Sequence, residues 1–207
     1  MDIITRYFPN LTEDQKNKFA ALDELYRDWN SKINVISRKD IDNLYTHHVL
    51  HSLAIAKYTG FKEGSNIMDV GTGGGFPGIP LAIMMPNVQF LMIDSIGKKL
   101  KVAEEISKAI GLQNVEFKHS RVEDEKSLFD FVVSRAVMPL HDLVKVTQKN
   151  INKKQNNALP NGIICLKGGD LTEETKPYKK FVEIMPLTDF FEEEFFETKK
   201  LVYLPIS

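Results

Sequence analysis

The chain reads as an α/β protein, with a mostly parallel sheet flanked by helices on both faces and a helical cap at its N-terminal end. Three observations predict this. Two amphipathic helical patterns fill the first third of the chain. From Asn66 onward the apolar period switches to strand and helix in alternation, the signature of a parallel sheet. Between the first strand and its helix lies "IMDVGTGGGFPGIPL", residues 67–81, a seam unusually rich in glycine. The expected division is a cap over 1–62 and a sheet domain over 63–207, packed as one globular unit.

The cap begins at Thr12-Glu13-Asp14-Gln15, a capping box with Thr12 as N-cap and Gln15 reaching back. Phe19, Leu22, Leu25, Tyr26 and Trp29 then recur at helical spacing. A second helix is expected after Asp40, through Leu44, Val49 and Leu53. The first strand is Ile67–Val70, followed by the glycine turn and a helix near Gly78–Met85. Val88–Ile93 is a second strand ending at Asp94, and Lys98–Ile110 is a helix closed by Gly111 as its C′ residue. Val115–Phe117, Phe129–Ser134 and Ile163–Leu166 make strands three to five, with a helix over Leu140–Asn150. The tail Phe181–Ser207 carries two strand-like runs split by "EEE", an antiparallel pair that brings the sheet to seven strands. Asn150–Asn161, polar throughout, reads as a mobile surface loop.

Composition narrows the function classes. A net charge of −1 argues against a protein whose affinity rests on non-specific DNA binding, though it leaves room for a local basic face. One cysteine permits no internal disulfide and offers no zinc cluster. No apolar run is long enough to span a bilayer, and the first residues lack a signal-peptide pattern. A cytoplasmic protein without metal or membrane contact is expected.

The glycine turn asks what the backbone must approach. Glycine there lets the chain turn sharply and lets a ligand sit against bare main chain, which makes Gly71, Gly73 and Gly75 candidate cofactor residues. The dinucleotide fingerprint fits only when started at Gly73; started at Gly71, where the strand ends, its sixth position is Phe76 and it fails. Asp69 at the strand end suits S-adenosylmethionine (SAM), a cofactor with an ammonium and a sulfonium and no phosphate. Asp94 is placed to accept both ribose hydroxyls, as acids also do in NAD enzymes. A dinucleotide and a purely structural turn stay open on these features alone. Val122 and Glu123 follow strand three, where an adenine would stack and be read, and Arg135 ends strand four facing the reaction.

The segments "NVISRKD", "HHVLHSLA", "IMDVGTGGGFPGIPLA", "IDSIGKK", "SRVED", "VVSRA" and "LKGG" fall in an order and spacing that resembles the RsmG (GidB) family. The resemblance covers about Trp29 to Gly169 and extends more weakly to both ends. It implies a class I SAM-dependent methyltransferase with a Rossmann-like sheet, acting on N7 of one guanine of 16S ribosomal RNA in the small subunit. It further implies cofactor contacts at Gly71, Phe76, Val122, Glu123 and Arg135, with Asp94 on the ribose. The chain departs where the family often has proline or alanine at Gly74, a change the turn should tolerate, and where it often has an acid at His51.

N7 of guanine carries an in-plane lone pair and no proton, so no general base is needed and none is assigned. Strand four is not followed by an Asn-Pro-Pro-aromatic motif, which counts against amine methylation. Cys165 sits inside an apolar run and reads as core, which counts against a thiolate mechanism. For the RNA, Asn34, Arg38, His48, Lys98, Arg135 and Lys167 are the candidates. The alternative for His48 is a cap histidine with its bonds satisfied, and for Lys98, Lys99 and Lys101 a solvated helix face. A monomer is expected. The competing functions are a SAM methyltransferase with another substrate and a SAM-binding ribosome-assembly factor without turnover.

Overall fold

The computed structural model describes residues 1–206; Ser207, the end of the expected tail, lies outside them. Seven strands form one sheet: β1 (Asn66–Val70), β2 (Gln89–Asp94), β3 (Val115–His119), β4 (Phe131–Arg135), β5 (Gly162–Gly168), β6 (Glu183–Pro186) and β7 (Lys199–Pro205). Their spatial order is β3-β2-β1-β4-β5-β7-β6. The first five strands pair in parallel, while β7 runs antiparallel between β5 and β6. The strand order reverses between β1 and β4, so their carboxyl ends open the crevice where ligands of such sheets bind.

The sheet is buried on both faces, and the period-two alternation of its strands divides the core. Ile67, Phe131, Val133, Ile164 and Leu166 join one apolar cluster; Met68, Val70, Val132, Ile163 and Cys165 join the other. Helices α4 (Gly78–Met84) and α5 (Gly97–Ala109) cover the first face, and α6 (Leu140–Thr147) covers the second. A short helix, α7 (Thr172–Thr175), follows β5.

The cap packs on the first face. It comprises α1 (Asp2–Tyr7), α2 (Glu13–Lys32), a 3-10 turn (Ile41–Asn43), a π-helical run (Leu44–Leu50) and α3 (His51–Tyr58). Ile4, Phe19, Leu22 and Tyr26 belong to the same apolar cluster as the sheet residues beneath them. The capping box forms at Thr12, and the Gln15 amide also donates to the carbonyls of Ile83 and Met84 at the end of α4. No helix is long and apolar enough to cross a membrane among the described residues.

Three expectations need correction. The second cap helix is not one α-helix; its first half widens to a π-helix, a geometry that apolar spacing does not encode. The segment over Asn150–Asn161 is fastened rather than loose. Its Asn157 side chain bonds the amide of Lys62 and the hydroxyl of Ser65, and the Asn161 amide donates to the carbonyls of Asn152 and Lys154. The polar residues that suggested mobility are the ones that brace it. The helix expected over Leu140–Asn150 ends its α-helical part at Thr147 and finishes as a 3-10 turn, Gln148–Asn150.

Candidate functional site

The glycine turn leaves β1 at Val70 and enters α4 at Gly78. Gly71 has φ +67°, and a Cβ there would lie 2.6 Å from Val137, so the position demands glycine on both counts. Gly73 has φ +56° and open space where its Cβ would be, which leaves bare backbone facing the crevice. Asp69 is completely buried beneath the turn. One of its oxygens accepts from the Thr72 hydroxyl at 2.6 Å and the Gly78 amide at 2.8 Å; the other has no partner. Burial pushes its carboxyl up to about 7, against the Thr72 and Gly78 hydrogen bonds and the charge of Arg135. Asp69 thus braces the turn from below and does not face the crevice, contrary to its expected place beside the cofactor.

Asp94, at the end of β2, turns toward the same loop. Its two oxygens accept from the Gly73 and Ile96 amides, each at 2.7 Å. Carboxylate oxygens take more than one donor, so the rim carboxylate retains acceptor capacity. It lines a cavity of about 430 Å³ with Val70, Gly71, Ile96, Lys99, Val122, Glu123, Val137 and Met138, a size suited to a nucleoside-bearing ligand. The cavity brings together Gly71, Asp94, Val122 and Glu123. Gly73 joins it through the bond to Asp94, whereas Gly75 packs against Ile79 and supports the turn from within.

Phe76 and Arg135 form a separate assembly behind the turn. The Arg135 guanidinium lies 5.0 Å from the Phe76 ring centroid, and Phe76 stacks on Tyr26 at 4.9 Å. The Tyr26 hydroxyl donates to the Gly74 carbonyl at 2.7 Å, tying the cap to the turn. Arg135 donates to the His47 carbonyl at 3.1 Å and to Nδ1 of His48 at 3.0 Å. Burial pulls its guanidinium down to about 10.

The candidates for RNA contact divide. Asn34, Arg38 and Lys98 are exposed. Lys99 lines the cavity, and Lys101 pairs with Glu105 on the solvated side of α5. Lys167 is a correction: it is 9% exposed and donates to the Met138 carbonyl and the Glu174 carboxylate. Glu174 also accepts from the Leu140 amide, so the pair anchors the start of α6 and leaves no free ammonium for phosphate. His48 is a satisfied cap histidine, bonded to Asp40 and Arg135. Cys165 is core as expected, and burial pushes its thiol up to about 12.

A family model described as rRNA small subunit methyltransferase G, GidB, matches residues 15–197. The chain belongs to this family. A relative from Bacteroides thetaiotaomicron named Ribosomal RNA small subunit methyltransferase G is 65% identical over 206 residues, covering 100% of both chains. Another of that name from Porphyromonas gingivalis is 56% identical, covering 99% of this chain and 93% of its own. Among solved structures, a SAM-dependent O-methyltransferase from Thermotoga maritima aligns with a TM-score of 0.58 at 14% identity, covering 81% of this chain and 70% of its own. A variant of MtNAS in complex with S-adenosylmethionine aligns at 0.59 with 11% identity, covering 93% and 76%. The fold is that of the class I SAM-dependent methyltransferases.

Against the GidB pattern, Gly74 is less replaceable than the sequence suggests. A Cβ there would stand 2.9 Å from the Val35 Cβ, and the Asn30 side chain pins Val35 by accepting its amide at 2.8 Å. Gly74→Ala should therefore cost about 1–3 kcal/mol, and clearly less in a Val35→Gly background, where the opposing Cβ is gone. Urea unfolding of the two single variants and the double variant measures this coupling. Sequence reasoning missed Ile96, Val137 and Met138 as cavity walls. The one available signal was their place directly after strands two and four, at the ligand end of the sheet.

Proposed function

We propose that this chain transfers the methyl group of S-adenosylmethionine to N7 of a guanine in the 16S ribosomal RNA of the small subunit. The observation that carries the reading is the cavity at the carboxyl ends of β1 and β2, formed in a chain that matches its family over nearly its whole length. Its residues fit the cofactor. Gly71 and Gly73 offer backbone without side chains, and Asp94 offers a rim carboxylate for ribose hydroxyls. Ile96 and Val122 supply apolar surface for adenine, with Glu123 beside them for its edge. Arg135, implied by the resemblance as a cofactor contact, is held on Phe76 with only two of its five N–H donors accounted for by the cap.

When bound, the cofactor supplies an electrophilic methyl group on a sulfonium. What remains for the protein is alignment and exclusion of water, because the attacking nitrogen carries no proton to remove. Asn34 and Arg38, on the cap segment that packs over Gly74 through Val35, and Lys98 at the start of α5 are exposed for RNA phosphates. A few such contacts around single-stranded bases suit a chain of net charge −1. In this reading the protein acts as a monomer in the cytoplasm.

The test is transfer of labelled methyl from S-adenosylmethionine to small subunits from cells lacking this protein, with protein-free ribosomal RNA beside them. Cleavage specific for 7-methylguanine locates the product. One labelled guanine is the expected result. Absence of label in both substrates, with the cofactor still bound by calorimetry, would overturn the enzymatic reading.

A further inference from the structure

Arg135 comes from the end of β4, but its orientation is set by the cap. Its guanidinium has no acceptor and always presents N–H groups. The 3.0 Å contact between its Nη2 and Nδ1 of His48 therefore requires a lone pair on Nδ1. A neutral imidazole with a bare Nδ1 carries its proton on Nε2, and that nitrogen faces the Asp40 carboxylate, 2.6 Å from Oδ2. An Nδ1–H tautomer, or a protonated ring, would set two donors against each other.

Asp40 precedes the 3-10 turn, and two consecutive histidines of the π-helical run reach its carboxylate: His47 Nδ1 lies 2.5 Å from Oδ1. His47 is in turn stacked on Phe195, with centroids 3.8 Å apart, and its carbonyl takes the other Arg135 bond. The guanidinium is thus fixed by the Phe76 face, by one carbonyl and by one imidazole whose tautomer Asp40 selects. Burial, with Arg135 beside it, pulls the His48 imidazole down to about 4, which agrees with a neutral ring.

We propose that Asp40 is a positioning residue for Arg135, acting through His48: by accepting Nε2–H it keeps Nδ1 free to hold the guanidinium on Phe76, behind the glycine turn that borders the cofactor cavity. This rests on the cofactor reading above. Asp40 lies in the same cap segment as the exposed Asn34 and Arg38, so the segment proposed to meet RNA would also set the orientation of Arg135.

The test compares Asp40→Ala with Asp40→Asn. The amide oxygen of asparagine can still accept Nε2–H, whereas alanine offers nothing. Side-chain ¹⁵N–¹H correlation spectra of the protein alone read the His48 tautomer, and calorimetry reads the Kd for S-adenosylmethionine. The wild-type chain and Asp40→Asn should show the Nε2–H tautomer, with Kd values within about twofold of each other. Asp40→Ala should lose that tautomer preference and bind about tenfold more weakly, the effect of one charge-assisted hydrogen bond disordered. An unchanged tautomer or an unchanged Kd in Asp40→Ala overturns the proposal, as does an equal loss of binding in Asp40→Asn. Because the tautomer is read without ligand, a wild-type chain that failed to bind the cofactor would overturn the function and still show whether Asp40 selects the tautomer.

Discussion

Asp94→Ala should weaken binding of S-adenosylmethionine by at least about a hundredfold while leaving a folded protein. Two losses combine. The carboxylate holds the Gly73 and Ile96 amides at 2.7 Å each, so its removal unties the glycine turn from the wall of the cavity. It also removes the acceptor proposed for the ribose hydroxyls, and hydrogen bonds to a charged group are worth about 1.5–3 kcal/mol each. The two contributions separate with a cofactor analogue lacking both ribose hydroxyls. That analogue should bind the wild-type chain weakly and, in the variant, lose only the share that comes from the untied loop, less than the natural cofactor loses. If it loses as much as the natural cofactor does, Asp94 acts only through the loop, and the ribose assignment fails. Asp94→Asn should fall between, since one amide oxygen can accept while its NH₂ meets a backbone donor. Calorimetry on the three proteins with both ligands gives the full comparison.

The fold was legible because its determinants are local and repeated. Alternating apolar residues in β1, β4 and β5 face two cores, and the sequence shows that alternation directly. Thr12 and Gln15 cap α2 three residues apart, and Gly111 adopts φ +68° one residue beyond the helical C-cap. Each of these is settled within a few residues. The π-helical run was not legible, since its apolar spacing from Leu44 to Leu53 fits an ordinary helix well enough.

The site was half legible, and the division follows the reach of the interactions. Gly71, Asp94, Val122 and Glu123 stand at strand ends, where topology alone directs them to the crevice. Asp69 also ends a strand, but its partners Thr72 and Gly78 turned out to be the loop itself. Lys167 is answered by Glu174 and Arg135 by His48, partners chosen by tertiary packing that periodicity does not record. Ala136 is a further case. It holds φ +50°, a left-handed conformation costly for a residue with a Cβ, just before Val137 and Met138 enter the cavity wall. Nothing in "VVSRAVM" announces it.

Asp69→Asn should change how stability depends on pH, because the native state raises this carboxyl to about 7 while an unfolded carboxyl titrates near 4. Between those values the native state binds more protons than the unfolded chain, so this group makes stability fall as pH rises. The penalty is absent below about pH 4 and complete above about pH 7, where it reaches on the order of 4 kcal/mol. Asparagine keeps an acceptor oxygen for Thr72 and Gly78 but carries no charge at any pH. Its NH₂ takes the place of the unpartnered oxygen, a cost that does not vary with pH. The readout is therefore the slope of the difference, with Asp69→Asn gaining on the wild-type chain from pH 4 to pH 8 in urea unfolding. Other titrating groups, His48 and His51 among them, are common to both proteins and drop out of that difference. A flat difference would mean that Asp69 is ionised throughout the native range, held by Arg135 more strongly than burial opposes it. The turn would then rest on a buried carboxylate rather than on a neutral carboxylic acid.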